Sequence, residues 1–352
     1  MRIIVLGGTG FLGAKTVAAL KQLPRVEVLV ASRRGPLIVD VERRETWAEL
    51  SSADVIIDLT DGTRSRPDAL AAWCLEHGKT LLEATSDAET VRRLVDAHRS
   101  STGPGRVILG AGIFTGVSNL MAHAVADEAG DGASLSWAVA SSPFSAAGKG
   151  TIALMVDASA RKVVRTVNGQ REESALAAGP KLDFAGTKRP SLRMSLAESE
   201  MLPLSTKARS VETFFAPKPG LLVSSFTMLP TFLLQARWFR WLLEAYFTVL
   251  RRVLLRGVST SVQMLARAEK DGRVFERHLT SRDGMEAAAF AIAVMAEGVA
   301  KAPKVSGLRF IDEVLELEPV LARVNEVAGR PVYDVPGGRL LAAPDRPRDS
   351  AA

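Results

Sequence analysis

Apolar and polar positions follow two different rhythms along this chain. Over the first 140 residues, short runs of β-branched and aliphatic residues alternate with stretches of helical spacing. The runs predict strands at Arg2 to Leu6, Val26 to Ala31, Leu37 to Val41, Asp54 to Leu59, Thr80 to Glu83 and Arg106 to Gly110. The stretches between them predict helices at Phe11 to Leu23, Arg43 to Leu50, Arg66 to His77 and Asp87 to Arg99. Strands separated by helices build a doubly wound parallel sheet, so this part reads as α/β.

The rhythm then changes. Apolar and polar positions alternate at Ser134 to Val139, Arg161 to Val167 and Ser191 to Met194, which predicts strands of a mainly antiparallel sheet in a second, α+β domain. Gly150 to Arg161 reads as a helix between them, and Ser259 to Ala268 and Val274 to Ser281 read as further strands. Asp283-Gly284-Met285-Glu286 resembles a capping box and opens an alanine-rich helix running to about Ala300.

Gly220 to Gly257 stands apart. Its apolar opening, Leu221 to Leu234, is shorter than the roughly 20 residues a bilayer span needs and contains Pro230. From Arg237 onward, Arg240, Glu244, Thr248 and Arg251 form a narrow polar stripe on a helix that is otherwise Trp, Phe, Leu, Tyr and Val. Three roles fit 221–256: a core or homodimer-interface helix, a peripheral membrane contact, or a lid over an apolar pocket.

The first strand runs into Gly7-Gly8-Thr9-Gly10-Phe11-Leu12-Gly13, which contains the spacing G-x-G-x-x-G between a strand and a helix. Glycine is needed there for a tight turn, for close approach of backbone to a pyrophosphate, and for close packing of helix on strand. This is the Rossmann-type dinucleotide turn. The second strand selects the dinucleotide. An NAD-selective site usually carries an acidic residue about 20 residues further on, to hold the ribose 2′-hydroxyl. Here the chain has Ala31-Ser32-Arg33-Arg34, with two guanidinium groups suited to a 2′-phosphate, so the cofactor expected is NADP(H).

Length and charge refine this picture. The 352 residues suit two domains, and 47% hydrophobic with 24% charged residues is a globular composition. The single cysteine, Cys74, excludes an internal disulfide or a multi-cysteine zinc site, and with an N-terminal apolar run too short for a signal peptide it predicts a cytoplasmic protein. The formal charge of +6 suggests a polyanion until it is located. Residues 1–130 carry 15 Lys and Arg against 16 Asp and Glu, whereas residues 200–282 carry 13 against 6. The excess surrounds the Trp-rich segment, which fits a lipid or subunit surface and argues against nucleic acid.

Several dehydrogenase chemistries are excluded by missing residues. Tyr246 and Tyr333 are followed four positions later by Leu250 and Gly337, so the Tyr-x-x-x-Lys pair of short-chain reductases is absent. Cys74 lies in the apolar run Ala71 to Leu75, a place for a buried side chain rather than a nucleophile. His77, His98, His123 and His278 have no metal-ligand spacing, and no metal is expected.

Together, Gly7 to Gly13, Ala31 to Arg34, Ala53-Asp54-Val55-Ile56-Ile57-Asp58-Leu59-Thr60, and Val107 to Gly112 running into Gly116-Val117-Ser118-Asn119-Leu120 resemble the saccharopine dehydrogenase-like reductases. Ala146-Ala147-Gly148-Lys149-Gly150-Thr151 is similar to the Gly-Thr turn that opens the family's second domain. The resemblance implies a nucleotide-binding domain over 1–125, an inserted domain over 126–282 and a return to the first domain over about 283–340; Ala343 to Ala352 reads as a loose polar tail. It also implies that Thr60, Asp61 and Thr85 lie near the ribose and nicotinamide. Where saccharopine-forming members carry Asp-Pro-Gly, this chain has Phe114-Thr115-Gly116, so the resemblance speaks for cofactor and architecture and not for a substrate in lysine metabolism.

Hydride transfer needs orientation and, where a proton is required, a poised acid. The candidates are Lys149, before an expected helix start, and His123, with Asp61 and Arg64 as polar orienters. The expected activity is an NADP(H)-dependent oxidoreductase acting on a small or apolar organic substrate in the interdomain cleft. A non-catalytic NADP(H) sensor and a membrane-surface interaction protein are the alternatives.

Overall fold

A computed structural model of the chain describes residues 1–35, 37–60, 67–142, 159–228, 233, 236–253 and 260–335. The candidates Asp61, Arg64 and Lys149, nearly all of the helix expected at 150–161 and the tail from 343 lie outside them.

The first part of the chain runs β1 (Arg2–Leu6), α1 (Phe11–Leu20), β2 (Glu27–Ser32), β3 (Leu37–Ile38), a 3-10 turn (Arg44–Ser52), β4 (Val55–Asp58), α2 (Pro67–Glu76), β5 (Thr80–Glu83), α3 (Ala88–His98) and β6 (Arg106–Leu109). A short π-turn (Ile113–Val117) then leads into α4 (Ser118–Ala129). The predicted helix at Arg43 to Leu50 is instead the 3-10 turn. Only Trp47 and Leu50 are buried there, three positions apart, and no four-residue stripe exists to hold an α-helix on the core.

The second part runs β7 (Ser134–Ser141), β8 (Val163–Val167), β9 (Gln170–Ser174), β10 (Ala177–Ala178), β11 (Leu182–Phe184), β12 (Thr187–Arg189), β13 (Leu192–Arg193), α5 (Glu198–Ser205), β14 (Ser210–Pro217), α6 (Leu221–Met228), α7 (Arg237–Val253), β15 (Val262–Lys270) and β16 (Arg273–Ser281). The chain closes with α8 (Gly284–Lys301), β17 (Gly307–Phe310) and α9 (Leu317–Ala328). Asp283 caps α8, its carboxylate accepting from the Met285 and Glu286 N–H groups, as the capping-box pattern predicts.

The first sheet has seven strands in the order β17-β6-β5-β4-β1-β2-β3, every neighbouring pair parallel. Read from β3 to β6, this is the Rossmann order, in which the chain reverses direction across the sheet between β1 and β4. A ligand crevice opens at such a reversal, outside the carboxyl ends of the strands. The second sheet is mixed: β14 runs parallel to β7, while β15 and β16 follow antiparallel, as do β13 and β10 on the other side. The fold is thus α/β, a doubly wound parallel sheet with a mainly antiparallel second sheet.

Alternation along the parallel strands divides their side chains between two cores. Ile3, Val5, Val55, Ile57, Leu82 and Ile108 enter a core shared with α4, α8 and the inner face of the second sheet, including Trp137 and Met264. Ile4, Leu6, Ile56 and Leu81 meet α2, α3 and the 3-10 turn on the opposite face. The alanine-rich α8 packs closely along α1, and β17 then pairs with β6, so the C-terminal stretch completes the first sheet.

Candidate functional site

Each glycine of the turn after β1 occupies a place a side chain would fill. Gly7 has φ +72°, and a Cβ there would sit 2.8 Å from the Leu59 carbonyl oxygen beyond β4. A Cβ on Gly8 would meet Val30 Cγ1 of β2 at 2.8 Å. On Gly13 it would lie 2.1 Å from the Gly7 oxygen and 2.7 Å from the Gly8 Cα. The turn is therefore wedged between β2, β4 and the first turn of α1. The Gly10 N–H donates to the Gly7 carbonyl at 2.9 Å, and Gly10 then opens α1 without a side-chain cap. The first N–H groups of α1 and the positive end of its dipole are left for an anion, the arrangement a pyrophosphate requires. Thr9, Gly10 and Phe11 are exposed and Leu12 is half-buried, so the outer side of the turn is open. These residues fit a dinucleotide.

At the carboxyl end of the neighbouring β2, Ser32 is half-buried and Arg33 and Arg34 are exposed. Among the described residues neither arginine has an ion-pair partner. Two unpaired guanidinium groups at this point of the sheet suit a 2′-phosphate.

The loops after β4 and β5 are anchored by a feature that the sequence reading passed over. Asp58 and Glu83 are the last residues of adjacent strands and stand opposite each other in the register. Both are buried, each 2% exposed. The Thr60 N–H and hydroxyl donate to Asp58 Oδ1 at 2.8 and 2.6 Å, and the Thr85 N–H donates to Glu83 Oε1 at 3.0 Å. Thr60 and Thr85, two of the residues expected beside the cofactor, are thus positioned by buried carboxyls. The signal was available: each is an acid that directly follows aliphatic residues at the end of a strand, in Val55-Ile56-Ile57-Asp58 and Thr80-Leu81-Leu82-Glu83.

Burial raises the pKa of both groups, and the Asp58 charge pushes Glu83 further up, well above the carboxylate range. Two adjacent carboxylates out of water cannot both stay charged, so the pair retains a proton. An acid with a raised folded-state pKa binds more protons folded than unfolded. Its contribution to stability is complete below the unfolded pKa and declines as pH rises through the folded one. Glu83→Gln supplies a permanently neutral partner. Its stability relative to the wild type should improve between about pH 5 and pH 9 by on the order of 1 kcal/mol, measured by urea unfolding. A difference independent of pH would show that the pair holds no proton.

The loop after β6 is held from both parts of the chain. Thr115, at φ +60°, donates its N–H to Glu198 of α5 at 3.0 Å and its hydroxyl to the Thr85 carbonyl at 3.3 Å. Glu198 is buried, which raises its pKa. Asp87 caps α3 through the Thr90 N–H at 3.0 Å and pairs with Arg161, which precedes β8, at 2.6 Å. Asp87 thus satisfies an N-terminal N–H of α3 and ties the helix to the segment before β8.

His123 has both ring nitrogens committed. Nδ1 lies 3.1 Å from Asp312 beyond β17, and Nε2 lies 3.3 Å from Asp127 one turn along α4. The hydrogen bond to Asp312 raises the His123 pKa, against a smaller effect of burial. Asn119 also reaches Asp312, at 3.3 Å. This geometry ties α4 to the turn after β17. Cys74 is fully buried on α2, and burial lifts its thiol pKa far out of the nucleophilic range. Among the described residues, no three His, Cys, Asp or Glu side chains cluster as metal ligands, and no helix is long and apolar enough to cross a membrane.

No protein-family model and no curated protein matches the sequence. Solved structures with a similar arrangement include C. glutamicum DAP dehydrogenase in complex with DAP, at 12% identity and TM-score 0.46, covering 90% of this chain and 94% of that one. An engineered D-amino acid dehydrogenase bound to NADP+ is similar at 13% identity and TM-score 0.47, with 90% and 94% covered. Dihydrodipicolinate reductase from Paenisporosarcina sp. TG-14, bound to dipicolinate, follows at 10% identity and TM-score 0.42, with 90% and 99% covered. Likeness at this level concerns the order of elements and leaves substrate and reaction to the chain's own residues.

Proposed function

We propose that this protein is an NADP(H)-dependent oxidoreductase that transfers hydride to or from a small organic substrate held between its two sheets. The observation that carries the reading is the Gly7–Gly13 turn at the reversal between β1 and β4, opening onto an uncapped helix. Arg33 and Arg34, without an ion-pair partner among the described residues, support NADP(H) over NAD(H). The cofactor supplies the hydride chemistry. The chain's part is to bind it through Gly7 to Gly13 with Ser32, Arg33 and Arg34, and to fix its reactive end through Thr60 and Thr85. We assign the nucleotide-binding unit to 1–125 with 283–340 and the substrate unit to 126–282, and take the saccharopine dehydrogenase-like reductases as a family that the sequence resembles. Lys149 and Asp61 stay candidates for the acid and the orienter. His123, held between two carboxylates, is better suited to fastening α4.

The test is NADPH oxidation, followed by absorbance, with a panel of imines, keto acids and enoyl compounds. Turnover with any class supports the oxidoreductase. Saturable NADPH binding without turnover supports the sensor reading, and absence of NADPH binding overturns both.

α7 supports a second, compatible role as an association surface. Trp238, Trp241 and Tyr246 are 64%, 70% and 57% exposed, which is against the core-helix role for this face. A bilayer and a second copy of the chain are its two candidate partners. Trp241→Glu should abolish flotation with anionic liposomes in the first case and convert a dimer to a monomer in sedimentation in the second. A wild-type chain that neither floats nor dimerises would leave the surface without such a role.

A further inference from the structure

On the outer face of the second sheet, two cations meet without a counter-ion among the described residues. Phe214 and Ala216 alternate onto this face from β14, with Lys218 next in the alternation just past the strand's last residue, and Leu265 and Gln263 do so from β15. Arg189 closes β12, in the hairpin whose Phe184 packs on the same face. Its Nε donates to Gln263 Oε1 at 3.1 Å, which fixes the plane of the guanidinium and leaves its terminal nitrogens uncommitted among the described residues. Among the described residues, Lys218 Nζ reaches the Ser261 carbonyl and hydroxyl, at 3.5 and 3.4 Å. Gly220 brings the two segments into contact, since a Cβ there would lie 2.9 Å from Pro190 Cγ.

Burial and the adjacent Arg189 charge draw the Lys218 pKa down to about 8, and no carboxylate among the described residues counters them. Around Lys218 the sequence itself is free of acids, none occurring between Glu212 and Glu244. Like charges brought together and partly dried are costly unless an anion sits between them. A planar guanidinium fork beside a point-charge ammonium is also the donor set that grips an oxyanion.

We propose that Arg189 and Lys218 form a binding site for a small-molecule oxyanion, a carboxylate or a phosphate, separate from the nucleotide turn. The site requires only these two cations and is independent of the hydride-transfer reading.

The experiment titrates the full chain, saturated with NADPH where it binds, with succinate and with inorganic phosphate in separate calorimetric runs. Arg189→Met/Lys218→Met and the single Lys218→Gln serve as comparisons, with circular dichroism to establish that each is folded. The site predicts saturable binding of at least one anion, weakened at least 10-fold in the folded double variant and less in the single one, with NADPH affinity unchanged. Succinate alone identifies a carboxylate site, and phosphate alone a phosphate site. A second readout is Lys218 itself: its amine should react unusually fast with an acylating reagent at pH 8, and the bound anion should slow that reaction. Absence of saturable binding by the wild type, or equal binding by the double variant, would overturn the proposal.

Discussion

Replacing Gly13 by alanine should weaken NADPH binding at least 100-fold and destabilise the chain by about 2 kcal/mol or more, although alanine is the better helix former by about 1 kcal/mol. The added Cβ would lie 2.1 Å from the Gly7 oxygen and 2.7 Å from the Gly8 Cα, both backbone atoms held by β1. No rotamer change relieves such a contact, so the turn must move away from α1 and the helix N-terminus loses its aim at the phosphates. Gly10→Ala separates binding from folding. Its Cβ would approach the Gly7 oxygen to only 3.1 Å, on the open side of the turn. It should cost about 1 kcal/mol of stability, as alanine does in place of a good N-cap residue, yet weaken NADPH roughly 10-fold by crowding the pyrophosphate. Fluorescence titration with NADPH and urea unfolding of the same two variants measure both quantities. Wild-type affinity in folded Gly13→Ala would remove the turn from the binding site.

The parts of the fold that were legible are those where one physical requirement dominates. β1 and β5 match their predicted limits because each is a run of buried residues, apart from the half-buried Arg2, that stops where a turn begins. α8 was announced by its Asp283 cap, and the glycine turn by spacing alone. The second sheet was less legible. β14 lies at its centre, but Val211-Glu212-Thr213-Phe214 alternates weakly, and β9 to β12 are short, largely exposed strands with no apolar rhythm, whereas β13 falls inside the predicted Ser191 to Met194. The α7 helix was legible as a helix, but its exposed tryptophans became visible only once the fold placed them.

The candidate site divides along the same line. Local backbone chemistry, such as the glycine turn and the end of β2, can be read from consecutive residues. Pairings across the fold cannot. Asp58 and Glu83 are 25 positions apart, and only the β4–β5 register brings them side by side. Glu198 reaches Thr115 across 83 positions, and Arg189 reaches Gln263 across 74.

Arg33 and Arg34 set the second large expectation. With both replaced by alanine, the NADPH dissociation constant should rise about 100-fold while that for NADH changes less than about 3-fold. The two cofactors differ only in the 2′-phosphate, and a charge-assisted hydrogen bond to such a group contributes about 1.5–3 kcal/mol. Partial exposure and salt reduce that value, so two such contacts at about 1.4 kcal/mol each account for the factor. The structure supplies the reason for assigning the effect to these residues. They follow β2 directly, exposed, with no ion-pair partner among the described residues, and β2 lies against the glycine turn through Val30 and Gly8. Because neither side chain is packed, the double variant should unfold within about 0.5 kcal/mol of the wild type, which keeps binding apart from folding. Raising salt from about 50 to 300 mM should weaken NADPH more than NADH in the wild type and equally in the variant. Parallel losses for both cofactors would place the arginines on the shared pyrophosphate instead, and unchanged affinity for both would return them to the solvent.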